Sequence, residues 1–559
     1  MPTVARVIAD TLRAYDVEYF FCVTGGDQAL WIALEDAGIT VLPFRSEAGA
    51  VYAADAYARV TGRPTPVYGQ YGPGVTNVAA SLADSMWAMS PVVSITSSTR
   101  TTSRYRHEYQ EIDQLAVMAP YTKWAAAVPK PERAGELVRA AIRNAVATPP
   151  GPVHLEIPAD VLGLEIDDVP VYAEPQFLQV PGPRSAPDHA SVQQAAEILR
   201  GASQPVILAG NGALLSGATA ELLAVAEAIP APVATTMGGK GVILDSHPLS
   251  LGVVGRYSRK VANDVLTEAD VVLVVGSRLG GLATDSWRRP NPDARIIHVD
   301  ADPAVLGATY REEIALLADA KLALGALADE LQGGGDQARG WVEKVTSRVA
   351  DWRGHVDDAA SSSQPGALHP AQVVRAIREV THATDVIVAD TGYMGAWTGA
   401  LLDVEETGRH YLRAAGSLGW AFPAAIGASL AAPDRNVVCV SGDGGIGYHL
   451  MELETARRLG APVKIVVLNN VSLAFEYHDQ RYLFGNRILP RVNDFVDIDY
   501  GAVARAMGVG GAQVTEPEAL APALYDALAA DGPYLLDVRI DKEVHAPVTV
   551  FERVLERVV

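Results

Sequence analysis

Cysteine is nearly missing from this chain: Cys22 and Cys439 are the only two in 559 residues. They stand far apart in apolar runs. That excludes a disulfide framework and a paired-cysteine zinc site, and it fits a reduced, cytoplasmic setting. Long apolar runs are missing too; none approaches the ~20 residues that a membrane-spanning helix needs. Met1–Asp10 reads as an amphipathic helix without the continuous apolar stretch of a secretory leader. Basic charge is in short supply, with 45 Lys and Arg against 66 Asp and Glu. The net charge of −21 argues against nucleic acid or an anionic membrane surface as partner. Short-period repeats and low-complexity tracts are absent.

What remains is an ordinary globular composition, 49% hydrophobic and 20% charged, on a chain too long for one core. Apolar strand-like runs alternate with helical patterns in three blocks. This argues for an α/β protein of three doubly wound parallel-sheet domains. We expect domains at 1–165, 186–332 and 367–545, with a tail at 546–559. Four prolines between Ile166 and Ser185 (Pro170, Pro175, Pro181, Pro183) mark a linker. The runs Gly333–Gly335 and Ser361–Gly366 flank a helical connector into the third block.

The most informative stretch is Ser441-Gly442-Asp443-Gly444-Gly445. A short apolar strand precedes it, and a helix from His449 to Leu459 and a strand from Val463 to Leu468 follow, ending at Asn469-Asn470. Asp443 and Asn470 thus fall at the carboxyl ends of two strands, the edge where open α/β sheets bind ligands. Both offer hard oxygen atoms suited to Mg²⁺ or Ca²⁺. Gly442 and Gly444 allow a phosphate to approach the backbone, and the next helix presents its N-terminus. Two other readings compete. One is a plain helix-capping turn at Asp443. The other is a dinucleotide site, since Gly442, Gly444 and Gly447 satisfy G-x-G-x-x-G. That fingerprint asks for an acidic residue at the end of the next strand, where this chain has two asparagines.

The arrangement resembles the diphosphate- and magnesium-binding motif of thiamine diphosphate enzymes. The resemblance implies that Asp443, the Asn470 side chain and the Ser472 backbone carbonyl ligate Mg²⁺, with Gly442, Gly444 and Gly445 beside the diphosphate. The first block is similar to the pyrimidine-binding domain of the acetolactate synthase and pyruvate oxidase branch. It carries Arg45-Ser46-Glu47 followed by a helix rich in small residues, then Tyr71-Gly72-Pro-Gly-Val-Thr-Asn77, then Tyr109-Gln110-Glu111. The family commonly has His where this chain has Ser46, so any acid/base role of that His is absent. By this resemblance Glu47 shares a proton with the pyrimidine N1′ of the cofactor, and it should be buried, because desolvation raises a carboxyl pKa. Gly72, Asn77 and Gln110 line the same wall.

The segment Gly416–Gly427 matches the family's wedge segment, with Leu418 in the position that bends the cofactor. Gly392, Tyr393 and Met394 are expected along the diphosphate. Acetolactate synthases usually have Gln-His-Gln where this chain has Tyr393-Met394-Gly395. Glu476 occupies a position where decarboxylase-like and oxidase-like members also place a glutamate, and it is a candidate proton donor or acceptor. Tyr477 and His478 after it face either pocket or solvent. Arg100, Arg104, Arg106 and His107 are candidates to meet an anionic substrate.

The resemblance implies a lyase or carboligase that depends on thiamine diphosphate and Mg²⁺, with decarboxylation of a 2-oxo acid as the first choice. A 2-hydroxyacyl-CoA lyase or oxalyl-CoA decarboxylase-like enzyme and a flavin-dependent oxidase stand as alternatives, and an NAD-dependent dehydrogenase as the weakest. The middle block resembles a nucleotide-carrying domain that holds FAD or ADP in relatives, through Gly210-Asn-Gly212, Gly276-Ser-Arg278 and Asp300. A homodimer or homotetramer is implied, because the cofactor in this family bridges the first domain of one subunit and the third of another.

Overall fold

The computed structural model describes residues 1–167, 169–333, 337–360 and 366–558. Residues 334, 335 and 361–365 of the two expected hinge runs lie outside the described residues. The chain divides into two compact units. The first comprises Met1–Pro183 with Ala414–Asp434 and His449–Ala461, and the second comprises Arg184–Arg413, Arg435–Tyr448 and Pro462–Val559.

The first unit holds a six-stranded parallel sheet. Its order is Thr40–Pro43, Tyr19–Cys22, Thr65–Tyr68, Val92–Ser98, Val153–Pro158, Trp124–Ala127. Most of its strands are buried on both faces, so they read as apolar runs without alternation. The N-terminal helix Val4–Ala14 is amphipathic as expected. Thr3 caps it, its Oγ1 accepting from Arg6 N at 3.2 Å, and Val4, Val7, Ile8 and Leu12 are buried. The proline-rich stretch after Ile166 is tied down at Glu174, which accepts from Arg143 Nη2 at 2.9 Å and from Tyr15 Oη at 3.2 Å.

Two helical segments from the expected third domain pack into this first unit. The helix Ala421–Ala431 lies against Glu47–Thr61 so closely that a Cβ on Gly427 would overlap the Ala53 carbonyl. Small residues on both helices permit this approach. A buried polar set fastens it: Trp420 Nε1 donates to Asp55 Oδ2 at 2.9 Å, Arg59 pairs with the same oxygen at 2.7 Å, and the Arg59 guanidinium lies 4.6 Å from the Trp420 ring centroid.

The second unit contains two further six-stranded parallel sheets. One runs Ile314–Leu317, Arg295–Asp300, Val271–Val275, Pro205–Ala209, Val233–Thr235, Ser250–Val253. The other runs Tyr411–Arg413, Val386–Ala389, Val437–Gly442, Lys464–Asn469, Tyr534–Arg539, Gly510–Val514. All registered pairs are parallel. Three doubly wound parallel sheets are therefore present, as the sequence predicts. The connector forms the helix Arg339–Ala360. Residues of the expected tail form the helix Thr549–Val558, held where Thr549 Oγ1 donates to Asp285 Oδ1 at 2.7 Å and Arg553 pairs with Asp285. Both cysteines are free and buried in strands.

The helix expected from His449 starts only at Glu452 and ends at Arg458. A one-turn helix, Asp443–Ile446, comes first, and the chain then turns through Gly447 to Met451. Glu452 and Glu454 in the first turn and Arg457 and Arg458 in the last suit the helix dipole, which explains where the helix begins.

At the helix crossing, Gly427→Ala should cost stability, because the obstacle is backbone that has no rotamer to escape through. We expect a loss of about 2–3 kcal/mol, at the upper end of overpacking effects. Denaturant unfolding of the two proteins measures it, and equal midpoints would show that the helices part without penalty.

Candidate functional site

In the third sheet the chain leaves Val386–Ala389 toward one edge and returns to place Val437–Gly442 on the other side. The strand order reverses between these two neighbours, and ligands gather at such a switch point. Asp390 and Ser441 meet there. Asp390 is fully buried and accepts from Ser441 Oγ at 2.8 Å and from Thr391 N at 2.9 Å. A Cβ on Gly445 would collide with the Asp390 carboxylate, so this glycine is required by packing. Gly442 meets nothing nearer than 3.9 Å and leaves open space, with Met394 across it. At Gly444 a Cβ would press on Leu473 Cδ2 at 2.7 Å.

Asp443 opens the one-turn helix and is 5% exposed. Its Oδ1 accepts from Gly444 N and its Oδ2 from Ser472 N, both at 2.9 Å. Asn470 Oδ1 lies 3.2 Å from the same Ser472 N. One backbone N–H thus gathers the two side-chain oxygens that the sequence singles out. Asn469, the other half of the pair, is spoken for: its Nδ2 donates to Asp537 Oδ1 at 2.9 Å, and its Oδ1 accepts from Val471 N at 3.1 Å. The turn between them needs Val471 at φ +60°. Ser472 Oγ donates to Asp494 Oδ1 at 3.0 Å.

Burial pushes the Asp443 carboxyl up to about 6, against the opposing pull of the backbone N–H groups. No ion pair to Asp443 exists among the described residues, and no group of three His, Cys, Asp or Glu is placed to hold a metal. A hard cation here would have one carboxylate, one amide oxygen and backbone oxygen from the protein, with room at Gly442 for ligand oxygens. That donor set fits Mg²⁺ carried with a diphosphate, since Mg²⁺ takes few protein ligands and completes its octahedron elsewhere.

Gly392 (φ +65°) caps the helix Tyr393–Leu401. The Tyr393 side chain turns away into an aromatic cluster. Its hydroxyl lies 2.6 Å from His478 Nδ1, and its ring lies 5.7 Å from that of Phe475 and 6.5 Å from that of Phe551. His478 is therefore core rather than pocket or solvent, and burial pulls it down to about 3, so it is neutral. Tyr477 donates to Glu543 at 2.7 Å. Glu476, in the first turn of Ala474–Tyr482, is exposed.

The first unit gathers the other predicted residues. Ser46 caps the helix Glu47–Thr61, its Oγ accepting from Gly49 N at 3.0 Å. Glu47 occupies the first turn, and its Oε2 accepts from Asn77 Nδ2 at 3.1 Å. A Cβ on Gly74 would lie 3.2 Å from Glu47 Oε1, so the Gly-Pro-Gly turn sits against the carboxylate. Gly72 (φ +75°) adjoins Gln110, whose carbonyl a Cβ there would meet at 2.6 Å. Gln110, itself at φ +60°, accepts from Gln70 Nε2 at 3.3 Å. Glu47, Gly72, Asn77 and Gln110 thus form one cluster. Glu47 is half-buried in the single chain.

Ser46 Oγ lies 3.4 Å from His449 Nδ1, so an imidazole stands beside the position where the family has one in the motif itself. Leu418 is half-buried in this unit. The backbone just before it is fixed by Asp84, which accepts from Gly416 N at 3.2 Å and Ser417 N at 2.9 Å. Asp84 and His449 carry no sequence signal, since each acts through a partner remote in the chain. Arg104 is engaged by the buried Glu156 at 2.6 Å. In the second sheet, Gly210, Gly212 and Gly276 pack backbone on backbone, with a Cβ on Gly212 only 2.8 Å from Gly276 Cα. Chain packing accounts for these glycines.

Three doubly wound parallel sheets are the architecture of thiamine pyrophosphate enzymes, and the chain belongs to that family. The family descriptions "Thiamine pyrophosphate enzyme, N-terminal TPP binding domain", "central domain" and "C-terminal TPP binding domain" match residues 2–117, 192–327 and 390–538. The chain is 33% identical to a probable acetolactate synthase large subunit of Methanocaldococcus jannaschii, over 96% of this chain and 92% of that protein. It is 31% identical to a sulfoacetaldehyde acetyltransferase of Alcaligenes xylosoxydans xylosoxydans, over 94% and 90% respectively. To acetolactate synthase isozyme 2 large subunit of Escherichia coli (strain K12) it is 30% identical, over 96% and 95%. Among the described residues no helix is long and apolar enough to cross a membrane.

The raised Asp443 pKa has a definite sign. A carboxyl whose folded value lies above its unfolded value binds protons more tightly when folded. It therefore destabilises the ligand-free protein above about pH 6 and relaxes as the pH falls toward 4. Asp443→Asn should raise the melting temperature of ligand-free protein at pH 8, by at most ~3 kcal/mol of stability, and should not do so at pH 4.5. Calorimetric melting at both pH values tests this, and a lower melting temperature at pH 8 would contradict it.

Proposed function

We propose that this protein is an enzyme dependent on thiamine diphosphate and Mg²⁺ that decarboxylates a 2-oxo acid and ligates or transfers the resulting acyl unit, in the manner of acetolactate synthase. The observation that carries this reading is the convergence of Asp443 and Asn470 on Ser472 N at the switch point. When bound, the cofactor supplies an acidic ring carbon and an electron sink for the carbon left by decarboxylation. Asp443, Asn470 and the Ser472 carbonyl would hold the metal, and the open space at Gly442, across from Met394, would admit the diphosphate, with Gly444, Gly445, Gly392 and Tyr393 beside it through their backbone. Leu418 would be the apolar side chain packed against the cofactor.

With the cofactor bound, Glu47 would be the carboxyl that holds and passes a proton on the pyrimidine side. Asn77 holds Oε2 and fixes the carboxyl plane, and the absent side chain at Gly74 leaves Oε1 uncovered. Gln110 presents its amide to the same space, and Glu476 stands as the acid or base for the bound substrate. The middle domain carries FAD, ADP or neither. Domains divide at 1–165, 186–332 and 367–545, and the enzyme is a cytoplasmic homodimer or homotetramer. Acyl transfer to a second acceptor is favoured as a second outcome by the likeness to sulfoacetaldehyde acetyltransferases.

Glu47→Gln keeps the bond from Asn77 to the side-chain carbonyl but removes the exchangeable proton. We expect turnover to fall at least 100-fold, in line with general acid–base catalysis, with cofactor binding retained. Asp443→Ala should lose metal and cofactor together. Steady-state assays with pyruvate, other 2-oxo acids and 2-hydroxyacyl-CoA thioesters, beside cofactor titrations, test both. Full activity in Glu47→Gln would refute its role. Cleavage of the thioesters alone would move the enzyme to the lyase branch.

A further inference from the structure

Gln70, which belongs to no motif, meets Gln110 at the carboxyl edge of the first sheet. Gln70 follows the strand Thr65–Tyr68, and Gln110 lies in the loop after Val92–Ser98. Gln70 Nε2 donates to Gln110 Oε1 at 3.3 Å. Both residues are half-buried, and neither side-chain amide has another hydrogen-bond partner among the described residues.

The surroundings make room for this pair. A Cβ on Gly25 would meet Gln70 Oε1 at 2.8 Å and Gln70 Cδ at 3.1 Å, so the loop after Tyr19–Cys22 yields its side-chain place to the Gln70 amide. A Cβ on Gly72 would meet the Gln110 carbonyl oxygen at 2.6 Å and Gln110 Cβ at 2.8 Å. Gln110 itself is held at φ +60°, a costly conformation for a non-glycine residue that persists only where the surroundings over-determine it. They do so here. Glu111 accepts from Tyr105 N at 2.6 Å and from Glu108 N at 3.2 Å, and Arg104 pairs with the buried Glu156 at 2.6 Å.

A primary amide has two ends of opposite character, an oxygen that accepts and an NH₂ that donates. The direction of the bond between the two glutamines therefore decides which end of Gln110 is left for a ligand. At Gly25 the Gln70 oxygen faces a Cα–H. That contact suits an oxygen, whereas an NH₂ group there would press hydrogen on hydrogen. The Gln70 NH₂ is thus the end turned toward Gln110. We infer that Gln70 is a positioning residue for the substrate: it takes the Gln110 side-chain oxygen and leaves the Gln110 NH₂ as a donor for an acceptor oxygen, the carboxylate or carbonyl of a 2-oxo acid. The inference rests on the reading proposed above, in which this wall faces the substrate, and adds a residue that the reading leaves out.

The test compares wild type, Gln70→Met, Gln110→Met and the double variant, each full length and loaded with thiamine diphosphate and Mg²⁺. Methionine matches glutamine in length and carries no amide. Calorimetry reads first the cofactor affinity and then the affinity for methyl acetylphosphonate and methyl benzoylphosphonate, 2-oxo acid analogues that cannot lose CO₂. Gln70→Met should leave the cofactor affinity at the wild-type value and weaken the better analogue by about three- to tenfold, the net worth of one hydrogen bond. In the Gln110→Met background the same change should do nothing further, because Gln70 acts only through Gln110. In turnover of a 2-oxo acid, KM should rise by the same factor with kcat held. Equal losses in both backgrounds, or loss of the cofactor in Gln70→Met, would make Gln70 a structural part and overturn the inference. Wild-type affinity for the analogue in Gln70→Met would overturn it too. A wild type that takes up the cofactor and binds neither analogue overturns the 2-oxo acid reading itself, and the inference falls with it.

Discussion

The site rests on a carboxylate that the fold buries without an ion pair among the described residues. Asp443 is taken out of water by the strand edge beneath it, and backbone N–H groups bond its two carboxylate oxygens. Those bonds hold the oxygens in place but do not neutralise them, and the pKa rises accordingly. A divalent ion at the same point would supply the missing charge. The surrounding architecture serves this condition: Asp390 and Ser441 fix the neighbouring strand end, Gly445 makes way for Asp390, and Asn469 locks the turn so that Asn470 is left to face the site.

Much of this was legible in the amino-acid order. A glycine-flanked aspartate between two apolar strands, followed by paired asparagines, fixes which strand ends meet and what oxygen chemistry they offer. Apolar runs without alternation predicted parallel sheets buried on both faces, and the sheets are of that kind. Glu47, Gly72, Asn77 and Gln110 were nominated one by one from motifs, and the structure gathers them into one cluster.

Other features were not legible, for a common reason: they depend on partners that sequence distance hides. The packing of Ala421–Ala431 on Glu47–Thr61 follows from small residues that face each other only after folding, and Glu452 joins the same unit by accepting from Arg45 N and Ser46 Oγ. Nothing local says that Tyr393 leaves the ligand edge to meet His478, or that His449 comes to stand beside Ser46.

Crystallising the protein with thiamine diphosphate and Mg²⁺ tests the central claim most directly. The account predicts one metal ion within about 2.0–2.1 Å of an Asp443 carboxylate oxygen and of Asn470 Oδ1, the usual Mg²⁺ distance. A cofactor bound with its metal away from Asp443, or an Asp443 carboxyl left as it is in the free chain while the cofactor sits elsewhere, would contradict it.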